Sequence, residues 1–231
     1  MTPFPSHVPA DLDNHTVIQE HDWKAFRGLT GMENHWQRPG WTPGRRSYHW
    51  LIVFLKASAL QRLVSQCQAR LEWSSLDPVP LDSLHITMGR VAFTDDMTRE
   101  AAHSIAATAE QLCRTLAPFN LTVGPLTASR GAVRFSVSPW TPLLELHGVL
   151  TEATRGVYGE QTTMDTATFR PHLSIAYANG DVPMPALVPT IEALREMPVT
   201  TVNVTSVALA EMRREEQAYR YEEIARIALR T

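Results

Sequence analysis

Two short apolar runs, "LHITMG" and "PHLSIA", constrain the fold of this chain more than any other feature. Side chains two positions apart in a β-strand point to the same face. The first run therefore predicts a strand with His85 and Thr87 on one face and apolar side chains in a core. The second run predicts the same arrangement for His172 and Ser174.

The two runs lie in halves of the chain that repeat the same order of elements. Each run follows the pattern apolar–His–apolar–hydroxyl–apolar–small, and the histidines are 87 positions apart (172 − 85). Each half is predicted as strand–helix–strand, which indicates a mixed α+β fold. The small residues Gly89 and Ala176 are expected to leave the strand surface open beside each histidine, as a groove requires.

Periodicity and turn residues predict the remaining elements. The longest helix of the second half is expected to be capped by Thr141, with Pro142 in its first turn. A short helix is also expected around "DWKAFRG" (22–28). Strands are predicted over 47–55, 81–93, 119–128, 132–139, 169–178, 204–214 and 218–229, and helices over 57–71, 98–116, 141–159 and 186–196.

The segment "HWQRPGWTPGRR", near the N-terminus, mixes aromatic and basic residues with turn formers. In one interpretation Trp36 and Trp41 pack onto the domain. In the other, the segment is a loop that stacks on a base and offers Arg45 and Arg46 to phosphate. We favour packing.

Composition and charge limit the compartment and the partners of this protein. The 231 residues carry a formal net charge of −3, which does not favour a duplex-DNA binder. Cys67 and Cys113 lie on predicted helices and do not have the spacing of metal ligands. They are interpreted as buried thiols of a protein in a reducing compartment. No membrane-spanning run or signal peptide is recognised. We therefore expect a cytoplasmic protein that does not bind membranes.

The two motif runs resemble the paired H-x-T/S motifs of the two-histidine phosphoesterase superfamily. That superfamily includes bacterial 2'-5' RNA ligases and RNA 2',3'-cyclic phosphodiesterases. The resemblance covers residues 46–231 and leaves residues 1–45 as an N-terminal extension. It implies a bilobal fold, in which two antiparallel sheets related by a pseudo-twofold axis are flanked by helices. One motif from each lobe would line a central cleft.

The motif residues suit phosphodiester chemistry. Imidazoles titrate near neutral pH, so one can remove a proton while the other donates one. His85 and His172 are therefore expected to be the general acid and base, with a bell-shaped pH profile. Thr87 and Ser174 would hold the phosphoryl oxygens through their hydroxyl groups. The sequence does not decide which histidine is the base.

Two further phosphate contacts are considered near the second motif. Plant cyclic phosphodiesterases, which this motif resembles, carry a tyrosine at the position of Tyr177 that touches phosphate. Strict alternation turns Tyr177 away from the cleft, so this role requires a β-bulge, and packing is the alternative. Arg170 has the right parity to add positive charge, unless it lies at a surface strand edge. Arg90 and Arg134 are either phosphate contacts or residues of solvated faces.

The resemblance implies a phosphoesterase that needs no metal or other cofactor. No HExxH, P-loop or GxGxxG motif is present. The expected reaction is hydrolysis of nucleoside or RNA 2',3'-cyclic phosphates to 2'-phosphomonoesters, with reversible 2'-5' ligation. The expected partners are RNA ends or small nucleotides, bound by a monomer. Alternatives are degradation of cyclic or 2'-5'-linked oligonucleotides or of a phosphorylated metabolite, and a non-catalytic nucleotide-binding module.

Overall fold

The computed structural model describes residues 3–71 and 73–230. Its helices and antiparallel sheets confirm the α+β class. The helices are α1 (His15–Arg27), α2 (Ser58–Gln68), α3 (Arg99–Cys113), α4 (Thr141–Tyr158) and α5 (Met184–Leu194). The strands are β1 (Gly31–Met32), β2 (Arg46–Val53), β3 (Leu76–Pro78), β4 (His85–Phe93), β5 (Phe119–Ala128), β6 (Ala132–Ser138), β7 (Leu173–Ala178), β8 (Val182–Pro183), β9 (Thr200–Val204), β10 (Ser206–Glu215) and β11 (Ala218–Ala228).

The strands form two main sheets, and every pairing in them is antiparallel. One sheet has four strands in the order β11-β10-β2-β4, and the other has five in the order β3-β7-β6-β5-β9. The short strands β1 and β8 pair separately. The first motif therefore lies on the four-stranded sheet and the second at the start of a strand in the five-stranded sheet.

The helices cross between the sheets. Helix α2 follows β2 in the chain but packs against β7 and β9, whereas α4 follows β6 and packs against β4. The Trp50 indole of β2 donates to the Thr154 hydroxyl of α4 over 3.1 Å. Because each half sends a helix to the other half's sheet, the buried apolar residues of the two sheets form one continuous cluster.

Helical periodicity places the core faces as expected. The buried residues of α2 are Leu60, Leu63, Val64 and Cys67, the spacing of one helix face. The predicted cap of α4 is wrong. Trp140 occupies the capping position without a side-chain cap, and Thr141 is already the first helical residue.

The N-terminal segment contains more regular structure than its sequence predicts. Helix α1 begins seven residues before the predicted helix (22 − 15), after Asn14, whose side chain accepts from the Val17 amide. Its buried residues, Ile18, Asp22 and Phe26, recur every four positions, so an ionisable group sits in the middle of the apolar stripe. Short strands such as β1 and β8 were missed because two residues carry no periodicity, and only pairing defines them.

The tryptophan- and arginine-rich segment packs onto the domain, which is the interpretation favoured from the sequence. The Trp36 indole donates to the Asp77 carboxylate over 2.8 Å. Arg45 and Arg46 bind the carboxylates of Asp95 and Glu211 over 2.8 Å and 2.7 Å. Carboxylates therefore already pair the two arginines that the alternative assigned to phosphate. The division of the chain after residue 45 stays a prediction.

The structure also bears on the two cysteines and on membrane-spanning helices. Cys67 and Cys113 are buried free thiols, and burial raises the pKa of each to about 11. Among the described residues, no helix is both long and apolar enough to cross a bilayer.

Candidate active site

Residues of both sheets line one cleft, with a volume of about 750 Å³. Strands β4 and β7, which carry or follow the two motif histidines, pack against each other although they belong to different sheets. His85 and Thr87 reach the cleft from β4, and His172 and Ser174 reach it from the start of β7. The structure thus brings together all four motif residues from positions far apart in the sequence.

The two imidazoles are anchored in the same way. His85 Nδ1 lies 2.7 Å from the carbonyl oxygen of Ser83, and His172 Nδ1 lies 2.8 Å from that of Arg170. A carbonyl oxygen only accepts, so Nδ1 must carry the proton and donate it in both rings. This fixes the tautomer and leaves Nε2 of each neutral ring as a proton acceptor for a ligand.

The surroundings of both rings favour the neutral imidazole. Burial lowers the pKa of His85, against the hydrogen bond to Ser83. Burial, followed by the positive charge of Arg134, lowers the pKa of His172 to about 3. Both rings are therefore neutral at pH 7 when the cleft holds no anion. An anion bound between them would raise both pKa values, because it stabilises the imidazolium form.

We expect the free energy of unfolding to fall as the pH drops from 7 to 5. His172 has a pKa of about 3 when folded, against about 6.5 when unfolded, so the unfolded chain binds more protons between these values. Each such histidine contributes at most about 1.4 kcal/mol per pH unit. Urea denaturation at pH 7.0 and 5.0 measures this loss. A His172→Gln variant should lose less than the wild type, and equal losses would contradict the assignment.

The small residues beside the histidines do not form the open groove expected from the sequence. At Gly89, a Cβ atom would lie 2.7 Å from Cε of Met164, so the Met164 side chain fills this space. Ala176 is buried between strands β3 and β6. The two positions are small because neighbouring elements pack closely there.

The β-bulge required for a cleft-facing Tyr177 is present. Ser174 pairs with Arg134, but Ala176 pairs with Val133, so Ile175 is an extra residue in β7. The bulge reverses the alternation, and Tyr177 lines the same cleft as Ser174. Its ring stacks on His35 with 4.0 Å between ring centroids. Burial raises the pKa of the Tyr177 phenol well above its usual value, which keeps it protonated.

Arg170 lines the cleft, and its guanidinium group binds backbone carbonyl oxygens. The expected strand parity fails because β7 begins only at Leu173. The Arg170 guanidinium lies at the edge of the cleft and donates to the carbonyl oxygens of Pro5, Ala167 and Phe169 over 3.1, 2.9 and 2.9 Å. These bonds clamp the N-terminal segment to the loop before β7 and occupy most of its donors.

The N-terminal segment supplies cleft residues that the sequence did not single out, namely His35 and Arg38. The His35 amide donates to the carbonyl oxygen of Ala178 over 2.7 Å, which ties this segment to β7. Burial, followed by the charge of Arg38, lowers the pKa of His35 to about 2. The position of His35 and Arg38 in the cleft depends on a long-range contact that the sequence does not show. The only sequence signal for a role at the site was the density of basic and aromatic residues in this segment.

The described residues contain no group of three or more His, Cys, Asp or Glu side chains arranged to hold a metal ion. The cleft combines the two anchored imidazoles and the two motif hydroxyl groups with Tyr177, Tyr219 and several arginines. These groups can transfer protons and bind an oxyanion.

Two antiparallel sheets that present an H-x-T and an H-x-S motif to one cleft define a two-histidine phosphoesterase. The chain belongs to the 2'-5' RNA ligase superfamily, whose family model matches residues 57–216. His35 and Arg38 lie outside the matched residues.

Solved structures share the fold at low sequence identity. Apo LigT from E. coli is 18% identical with a TM-score of 0.59, and the alignment covers 81% of this chain and 99% of LigT. TT0787 from Thermus thermophilus is 18% identical with a TM-score of 0.60, and the alignment covers 80% of this chain and 98% of TT0787. A protein described as a phosphoesterase is 17% identical with a TM-score of 0.61, and the alignment covers 81% of this chain and 99% of that protein. A comparison with curated protein sequences finds no match.

Proposed function

We propose that this protein hydrolyses nucleoside or RNA 2',3'-cyclic phosphates to 2'-phosphomonoesters without a metal ion, with reversible 2'-5' ligation as a second activity. The observation that carries this proposal is the duplicated anchoring of His85 and His172. Both rings line one cleft, and both are held through Nδ1 by a carbonyl oxygen two residues earlier. Both therefore have Nε2 left for proton transfer.

The proposed reaction needs two proton transfers and no other co-reactant than water. One neutral imidazole removes a proton from water through Nε2 while the water oxygen attacks phosphorus. The bond from phosphorus to O3' breaks, and the second imidazole, protonated in the substrate complex, gives its proton to O3'. Thr87 and Ser174 donate hydroxyl hydrogen bonds to the non-bridging oxygens as charge develops there. In the ligation direction, the two histidines exchange roles.

The proton for the acid comes from solvent when the substrate binds. Without ligand, burial lowers the pKa of both histidines, and neither is charged at pH 7. A phosphodiester anion between the rings stabilises one imidazolium, so the acid is created when substrate binds. This arrangement supports the expectation of a bell-shaped pH profile for turnover.

Nucleotides are the preferred substrate class because proteins of this fold bind them. E. coli LigT forms crystalline complexes with ATP, NADP+, 3'-AMP and phosphate. The cleft of this protein has the size of a small-molecule site, with a volume of about 750 Å³.

We expect turnover of 2',3'-cyclic nucleotides in the presence of EDTA. Product analysis by ³¹P NMR should show the 2'-phosphomonoester and no 3'-phosphomonoester, because the proposed leaving oxygen is O3'. All four bases are tested in parallel, since the structure does not determine base preference.

The other outcomes separate the alternatives. Binding of the cyclic nucleotides without turnover would favour a non-catalytic nucleotide-binding module. Loss of turnover in EDTA, restored by a divalent metal, would contradict the metal-independent mechanism. A 3'-phosphomonoester product would show that the opposite bond is cleaved.

A further inference from the structure

Arg134, on the central strand β6, is a buried cation with few partners. Its side chain is 1% exposed, yet Nε and Nη2 are buried and donate to no atom of residues 3–71 and 73–230. The guanidinium group carries five N–H donors, and buried polar groups nearly always find partners. The hydroxyl of Thr127, which pairs with Arg134 across the sheet, has no partner among those residues either.

Arg134 lies beside the cleft. Arg134 pairs with Ser174 across strands β6 and β7, and both residues line the cleft. The positive charge of Arg134 contributes to the lowered pKa of His172. Of the two alternatives for Arg134, the solvated face is excluded, because helix α1 covers that part of the sheet and the side chain is 1% exposed.

An acidic residue of the N-terminal helix lies behind Arg134. Asp22 is fully buried, and its Oδ2 accepts from the Ser136 hydroxyl over 2.7 Å. Its Oδ1 lies 3.8 Å from Nη2 of Arg134, too far for a hydrogen bond. Burial alone would raise the pKa of Asp22, but His21, Arg134 and Ser136 together lower it. The carboxylate therefore offsets the buried charge without occupying the donors of Arg134.

The separation of 3.8 Å does not by itself distinguish this pair, because the exposed Arg99 lies 3.9 and 3.8 Å from Glu211 and Glu222. What distinguishes it is burial, since both side chains are 1% exposed and neither Nε nor Nη2 of Arg134 has a hydrogen-bond partner among the described residues. Unpaired donors are costly in a buried site, so the guanidinium group has hydrogen bonds left for another acceptor.

We propose that Arg134 binds a non-bridging oxygen of a phosphoryl group in the cleft, and that Asp22 of helix α1 positions it. The planar guanidinium fork matches two phosphoryl oxygens, and a charge-assisted hydrogen bond in a buried site is strong. This inference deepens the proposed function and rests on it for the identity of the substrate. It also gives the N-terminal segment a role at the site, because α1 lies outside the residues matched by the family.

Binding of inorganic phosphate to the 231-residue protein tests this role without turnover. The Nε–H signal of Arg134, assigned through bonds in a ¹⁵N spectrum, should shift on titration with phosphate. It should saturate at the same concentration as the ring signals of His172. This measurement uses the wild-type protein and does not depend on the folding of a variant. A constant Arg134 signal, with or without movement of the His172 signals, would overturn the inference.

A pair of matched variants gives the energetic test. Arg134→Lys keeps a positive charge beside Asp22 but loses the fork, and it should weaken phosphate binding roughly tenfold to a hundredfold. Arg195→Lys is the control, since Arg195 is half-buried and does not line the cleft, and it should bind phosphate like the wild type. Equal affinity of Arg134→Lys and the wild type would contradict the inference.

The two proposals fail in distinguishable ways. A protein that binds phosphate through Arg134 but does not turn over cyclic nucleotides would refute only the proposed function. An active enzyme whose Arg134 signal ignores phosphate would refute only the role of Arg134.

Discussion

Replacing His172 or His85 by alanine is expected to lower the turnover of 2',3'-cyclic nucleotides by roughly 10²–10⁴-fold, because each change removes one of the two proton transfers. The double variant should lose little more than the more severe single variant. Acid and base act in the same step, and effects of such groups are far from additive. Steady-state kinetics of the three variants at pH 7 measures these losses.

A matched control separates catalysis from folding. His103 is exposed on helix α3 and does not line the cleft, so His103→Ala should retain wild-type turnover. Circular dichroism of all variants checks the fold, since both motif histidines are anchored to backbone carbonyls. A folded His85→Ala or His172→Ala protein with full turnover would eliminate the two-histidine mechanism.

Replacing Asp22 by asparagine is expected to lower the free energy of unfolding by about 3–5 kcal/mol. The change keeps the shape of the side chain but removes the negative charge, which leaves Arg134 as an uncompensated buried cation. Asp22 and Arg134 are both 1% exposed as side chains, so water cannot replace the lost interaction. Urea denaturation at pH 7 measures the change.

Two further variants test the physical cause of this loss. Adding Arg134→Met to Asp22→Asn should recover much of the stability, because removing both charges of a buried pair costs far less than removing one. Asp95→Ala removes a carboxylate that pairs with Arg45 at the surface, and it should cost about 1 kcal/mol or less. Similar losses for Asp22→Asn and Asp95→Ala would show that the buried pair contributes no more to the free energy of unfolding than a surface pair.

The sequence predicted most regular elements of the two halves because their patterns are local, but it missed the strands β3 and β9. Alternation around His85 and in the strand after His172, and the helical spacing in α2, require only neighbouring residues to be read. The predicted helices and strands of both halves appear in the structure, with differences of a few residues at their ends. Thr141 was misjudged as a cap because propensity does not locate the first helical residue.

The site was predictable only in part. The motif residues could be named because the pattern occurs twice. The parity argument for Arg170 fails because Pro171 and His172 precede the strand, so alternation does not apply to them. For Arg134 the sequence left a phosphate contact and a solvated face open, because nothing in its own strand shows that α1 covers it. A signal was present in α1, where Asp22 interrupts an apolar stripe, but its partner could not be found from the sequence.

By itself the sequence determined the α+β elements and the two histidine–hydroxyl pairs, since backbone periodicity decides which side chains share a face. Only the tertiary structure decided that β4 and β7 meet at one cleft, that a bulge turns Tyr177 toward it, and that Asp22 approaches Arg134. These contacts join residues far apart in the chain. They depend on how the sheets and helices pack, which no local pattern encodes.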